Sequence, residues 1–194
     1  ALGEPIAHPL SQLIYEGVLE NPPWKTLLKS LEDFMQVSSA TLLLRRPKLS
    51  DPGFTVYLYS DKDDSAINEF NSGAYLDSPF AELPEHKVFT LADRVTPKEL
   101  AELNFSDYLH KYNVTDLMGF DVFDDVNTIR LRLRLTRMAD SPSFSADDCS
   151  RLQSIMPLMQ KALNLYSAFT HDRFIEAFYK DLLGSLDIAS FILN

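Results

Sequence analysis

The stretch Ile129-Arg130-Leu131-Arg132-Leu133-Arg134-Leu135-Thr136-Arg137 alternates with a period of two, aliphatic at every second position and mostly arginine between. A strand turns successive side chains to opposite faces, whereas a helix would scatter the same leucines and arginines all round its axis. The pattern therefore predicts a central strand of an antiparallel sheet, its leucine face turned to packed helices. The arginine face is left for water, for acidic neighbours or for a pocket. Two readings of it stand side by side. One is a cross-strand ion-pair ladder, for example with Asp121, each pair contributing a few tenths to about 1 kcal/mol. The other is an anion site on a concave sheet face.

Further elements follow from spacing. Leu10, Leu13, Ile14 and Val18 share a helical face after Pro9. In a second helix Asn21 caps, Pro22 opens, and Trp24, Leu27, Leu28, Leu31, Phe34 and Met35 recur at threes and fours. Ala40–Leu44 reads as a buried strand paired in a hairpin with the alternating Phe54–Tyr59, which carries Tyr57 and Tyr59 on the face away from Phe54, Val56 and Leu58. The middle is irregular: a weak helix around Ala66–Tyr75, a loop over Leu76–Glu85 and a short strand at Val88–Leu91. Thr96-Pro97-Lys98-Glu99 is a helix start with a capping box. Leu117–Phe123 and Thr128–Arg137 form a second hairpin.

The last third is helical, capped by Ser145 with Asp148 three residues on. Leu152, Met159 and Tyr166 fall seven apart, a coiled-coil-like seam that predicts dimerisation. Pro157 should kink this helix or leave a carbonyl unpaired, at roughly 3 kcal/mol. A further helical piece spans Asp172–Leu186, and Ile188–Leu193 reads as a strand without a partner, which suggests that a second domain begins there. The expected division is a main domain over residues 1–168, then a connecting helix and the start of a downstream domain over 169–194.

Composition limits the chemistry. At 194 residues, 45% hydrophobic and 24% charged, the chain is expected to be one ordinary globular domain. A net charge of −10 argues against this segment itself holding nucleic acid. No apolar run approaches the ~20 residues of a membrane span, and residues 1–10 lack the basic start and apolar core of a signal peptide. A cytoplasmic location without membrane contact is the expectation. His8, His86, His110 and His171 lie far apart, so no metal site is expected. Asp61-Lys62-Asp63-Asp64 fails as a calcium loop, with Ala66 where glycine is needed and Ser72 where a bidentate glutamate is needed. There is no Gly-x-Ser-x-Gly, phosphate loop or Gly-x-Gly-x-x-Gly. Cys149, the single cysteine, sits in the first turns of a helix, where the dipole lowers a thiol pKa; redox sensing or a half-buried inert cysteine are the two readings. No enzyme and no cofactor are expected. Tyr57, Tyr59, Tyr75, Phe80, Phe105, Tyr108 and Tyr112 are either ordinary secondary core or the walls of a ligand pocket over the sheet.

Several stretches together resemble the N-terminal, GAF-like sensory region of LuxR-type bacterial transcriptional regulators. They are Asn21-Pro22-Pro23-Trp24 through Leu44, Tyr75-Leu76-Asp77-Ser78-Pro79-Phe80, Val88–Leu91, Phe105–Leu109, and Phe144–Asp148 leading to Met156-Pro157-Leu158. The resemblance covers roughly residues 12–168. It implies an α+β fold, GAF/PAS-like, with an antiparallel five- or six-stranded sheet and the N- and C-terminal helices on one face. It also implies a ligand pocket between the other face and the middle segment, makes residues 1–168 the sensory domain, and lets the run from Asp187 to Leu193 look like the opening of a PAS-like one. Tyr57, Tyr59, Tyr75, Asp77, Phe80, Tyr108 and Arg132 are the expected binding set. The partners implied are an unknown small molecule and a second copy of the chain. DNA would be reached only through a helix-turn-helix domain lying outside this segment. A structural dimerisation module without any ligand is the rival.

Overall fold

The structure is a computed structural model and describes residues 7–45, 54–58, 78–126 and 129–192, with backbone alone for 7–9, 45, 54–58 and 171–192. Helices α1 (Ala7–Glu16) and α2 (Lys25–Met35) lead into strand β1 (Ser39–Arg45), which pairs with β2 (Phe54–Leu58). A two-residue strand β3 (Phe89–Thr90) follows, then short helices α3 (Leu91–Arg94), α4 (Pro97–Ala101) and α5 (Asn104–Lys111). The long strands β4 (Val114–Asp124) and β5 (Ile129–Met138) precede α6 (Ala146–Ile192). Among the described residues the sheet has the order β2-β1-β5-β4-β3, every pair antiparallel.

The alternating stretch is β5, second from neither edge but at the middle of the sheet, between β1 and β4. Leu131, Leu133 and Leu135 stand in register with Leu44, Leu42 and Ala40 on one side and with Val122, Phe120 and Met118 on the other. All of these are buried in one core with Leu27, Leu28 and Leu31 of α2 and Leu152, Ile155 and Met159 of α6. A second, smaller core lies on the opposite face, built from Phe80, Leu83, Phe89, Leu91, Phe105, Leu109 and Leu117. Strand β4 is buried on both faces, and Leu117–Phe123 accordingly carries apolar residues at both parities, with Asp121 the exception.

Gly119 stands where β4 has no room for a side chain against β5. A Cβ there would stand 2.2 Å from the Leu133 carbonyl oxygen and 2.9 Å from Cδ of Arg134. Arg137 breaks the arginine pattern: it has the parity of the leucines and faces the helices. There its guanidinium donates to the carbonyls of Met35 (3.0 Å), Pro142 (3.1 Å) and Ser143 (3.2 Å) and lies 4.2 Å from the ring centre of Phe144. A cation at the end of α2 is favoured by the helix dipole, so one side chain ties that end to the approach of α6.

Several expectations are corrected by packing. Helix α2 starts at Lys25 and not at Pro22. The Asn21–Pro22 bond is cis, Trp24 is the left-handed N-cap (φ 59°), and Glu20 accepts the Thr26 N–H. Trp24 is fully buried, its Nε1 donating to the Ile14 carbonyl (2.8 Å) and its ring 5.2 Å from that of Tyr166. Phe34, expected on the apolar face, is exposed. Leu152 and Met159 are wholly buried in the chain's own core and Tyr166 packs on Trp24, so these three do not form an exposed dimer seam. A heptad and a core-facing helix stripe share nearly one period, and here the sheet and α1 take the stripe. Helix α6 is continuous through Pro157, which stands on its exposed side, where solvent can take the Gln153 carbonyl left without a donor. The helix also runs on to Ile192, so the expected strand from Ile188 is helical.

Candidate functional site: the arginine face

Alternation sends Arg130, Arg132 and Arg134 to the face opposite the main core, and antiparallel register decides what they meet. Asp121 on β4 stands directly across from Arg132, with Arg130 and Arg134 its diagonal neighbours. The carboxylate has no exposed surface. One oxygen accepts from Arg134 Nη2 at 2.6 Å; the other accepts from Arg130 Nη1 at 3.4 Å and from the Leu83 N–H at 3.2 Å, with Arg132 Nε at 3.7 Å. A buried carboxylate is tolerable only where donors replace water, and these groups supply them. The ladder reading is therefore met in a converging form: three guanidiniums gather on one acid.

Arg134 is the most fully engaged. Its aliphatic stem passes over Gly119, which stands opposite it in register, and its Nη atoms donate to the carbonyls of Phe120 (2.9 Å), Leu133 (3.0 Å) and Phe80 (2.7 Å). Its charge also lies 5.5 Å from the ring centre of Phe80. Burial pushes its pKa down from the ordinary arginine value, and Asp121 opposes that shift. Arg132 is buried too and reaches outward to Glu82 at 3.8 Å, whose side chain is 77% exposed. Arg130 keeps more contact with solvent and lies 5.6 Å from the ring centre of Phe123.

Over the arginines the cover is a turn, and helices α3 and α5 pack beside it through Leu91, Phe105 and Leu109. Ser78 Oγ accepts the Phe80 N–H (3.2 Å) and its carbonyl accepts the Ala81 N–H, folding Ser78–Leu83 into compact turns. Leu83 and Phe80 then press into the second core while their backbone binds Asp121 and Arg134. Arg94 Nε holds the Pro79 carbonyl from the side (3.1 Å). Helices α3 and α4 each begin with a reciprocal capping box, Thr90 with Asp93 and Thr96 with Glu99. Hydrogen bonds from the Thr90 and Thr96 N–H groups hold the Asp93 and Glu99 carboxyls below their ordinary pKa values.

Of the residues expected to bind a ligand, the structure brings Phe80 and Arg132 together around Asp121. Tyr108 belongs instead to an aromatic row on α5, its ring 5.8 Å from Phe105 and 4.9 Å from Tyr112, flanking the second core. Tyr57 lies in β2 opposite Thr41 in register, with backbone alone described. Tyr59, Tyr75 and Asp77 lie outside the described residues, as does the acidic turn at 61–64. Arg130, Arg134 and Leu83 were missed as site residues. The first two were legible as the remaining members of one period-two face, whereas a backbone N–H of a distant turn leaves no trace in sequence.

Burial raises the Cys149 thiol pKa, with Asp93, Asp148 and Asp116 adding to it, opposite to the lowering a helix N-terminus alone would give. Among the described residues no group of three or more His, Cys, Asp or Glu is placed to hold a metal, and no helix is long and apolar enough to cross a membrane.

The class defined here is an α+β domain with one sheet face closed by helices and the other, charged, roofed by irregular chain. Solved structures of that fold include the VqsR LBD domain from Pseudomonas aeruginosa, at 22% identity and TM-score 0.60 over 80% of this chain and 95% of that one. CepR2 from Burkholderia cenocepacia, an N-acylhomoserine lactone dependent LuxR family transcription factor, is similar at 12% identity and TM-score 0.58, over 84% and 95%. Escherichia coli SdiA is similar at 12% identity and TM-score 0.52 over 73% of this chain, which spans 59% of the SdiA chain. At such identities the likeness establishes the shared fold. No family model matches the sequence, and no curated protein does.

Proposed function

We propose that this chain is a cytoplasmic, non-enzymatic sensory domain, GAF-like in architecture, of a LuxR-type bacterial transcriptional regulator. In this reading a small molecule binds between the arginine face and the segment around residues 78–112, and the chain works as a homodimer. Helix α6 carries the state of the site to a DNA-binding domain elsewhere in the protein. The observation that carries the reading is the unlikeness of the two sheet faces: one is closed by apolar helices, the other gathers three guanidiniums on a buried carboxylate beneath a turn. A turn held by a few hydrogen bonds can rearrange at far lower cost than a packed helix layer. The resemblance to the LBD of VqsR supports the same assignment. Arg132, reaching from Asp121 toward exposed Glu82, is the residue to meet an acceptor or anionic group of the ligand.

Thermal denaturation against a panel of acyl lactones, fatty acids and small carboxylates tests this. A ligand at 100 times its Kd adds about 2.7 kcal/mol by mass action, and the gain should be lost in Arg132→Met. The rival, a structural dimerisation module without ligand, is favoured by one observation: Phe105 stacks on Tyr108, which in turn meets Tyr112 at a tilt. A flat response across the panel would support it.

A further inference from the structure

The roof turn does not end on the arginine face. From Leu83 the chain continues past β3's edge, turning at His86 in the left-handed region (φ 65°), and Val88 enters the main core on the helix side while Phe89 stays in the second core. At that crossing one α6 side chain grips the backbone twice. Gln153 Oε1 accepts the Val88 N–H at 2.9 Å, and its Nε2 donates to the His86 carbonyl at 3.2 Å. Residues 78–88 are thus pinned at one end to Arg134 and Asp121 and at the other to α6.

We infer that residues 78–88 form a strap coupling the arginine face to α6, and that Gln153 is the positioning residue through which the coupling passes. A primary amide suits the task because one group both accepts from and donates to neighbouring peptides, fixing the crossing in position as well as in distance. The apolar contact of Val88 alone fixes neither. A second amide, Gln160 Nε2 on the Phe123 carbonyl (2.8 Å), holds the next part of α6 to β4 and not to the strap, so movement of the strap is delivered to the first turns of the helix. The inference rests on the sensory reading for its purpose. The coupling itself is measurable in the ligand-free protein, so a failed ligand screen and a failed coupling are separate results.

The test is amide hydrogen exchange on the full chain, comparing peptides from 78–91 and 145–160 in wild type, Arg134→Lys, Gln153→Leu and the double variant. Arg134→Lys keeps the charge but loses the fork that holds Phe80 and Asp121. Severalfold faster exchange is expected in both peptides, and in the Gln153→Leu background the effect on 145–160 should disappear while that on 78–91 persists. Gln153→Glu, which keeps the acceptor for Val88, should restore part of the effect. Arg94→Ala loosens the same strap at Pro79 from an exposed position and should give the same pattern if Arg134→Lys folds poorly. An effect on 145–160 of equal size with and without Gln153, or none in the wild-type background, overturns the inference.

Discussion

Replacing Asp121 by asparagine removes one negative charge and almost no volume from the centre of the arginine face. The carboxylate has no exposure and lies within 3.7 Å of three guanidiniums, so its loss leaves buried positive charge with only Glu82, on the solvent side, in reach among the contacts described. The 2.6 Å bond to Arg134 is charge-assisted, a class that contributes roughly 1.5–3 kcal/mol. Breaking a buried pair by removing one partner costs about 3–5 kcal/mol in all. Against the ~5–15 kcal/mol of an ordinary domain, that is a large fraction. At a urea slope of about 2.5 kcal/mol/M the midpoint should fall by roughly 1–2 M. Arg134→Met combined with Asp121→Asn should cost less than the sum of the single changes, by about 1–3 kcal/mol, because the unpaired charge goes with its partner. A loss below about 1 kcal/mol for Asp121→Asn, or strict additivity of the pair, would refute the view that this acid organises the face.

Two further outcomes follow from single positions. Gly119→Ala places a methyl 2.2 Å from the Leu133 carbonyl oxygen, which is backbone and cannot swing aside, so a loss of roughly 1–3 kcal/mol is expected by equilibrium denaturation. Shortening Arg134 should not rescue it. Asp148 is partly buried, which alone would raise its pKa, but the Ser145 N–H and hydroxyl together with Arg137 bring it below its ordinary value of 3.8. A depressed carboxyl contributes stability in full above the unfolded value and loses it as pH falls from about 3.8 through the folded value. Asp148→Asn should therefore cost about 1 kcal/mol near neutral pH, as a lost cap does, and the gap to wild type should close as the pH is lowered below that point.

Much of this architecture was written in local pattern. The alternation of Ile129–Leu135 sets strand, faces and neighbours, because a one-residue slip would send every leucine to the charged side. The capping pairs Thr96 with Glu99 and Ser145 with Asp148 stand where their spacing puts them. What failed were the features decided at a distance. Arg137 reads as one more arginine, yet its parity sends it to the helix side, where the Met35 carbonyl is its partner 102 residues away. Leu152 and Met159 carry a period that fits a dimer seam and a domain core alike, and only the position of the sheet separates them. Trp24 reads as helical by spacing, yet it is the left-handed cap beneath Gly17, whose hydrogen leaves room where a Cβ would sit 2.5 Å from the indole. The strap is invisible in sequence, since its contacts are backbone groups of an irregular stretch meeting Arg134, Asp121 and Gln153.

The measurement closest to the central claim is amide exchange with and without whichever compound most raises the melting temperature. Occupancy of the arginine face predicts protection concentrated in residues 78–91 and 104–111, with the first turns of α6 responding and α2 unchanged. Protection centred on α1 and α2, or a stabilising compound that leaves 78–111 untouched, would contradict it.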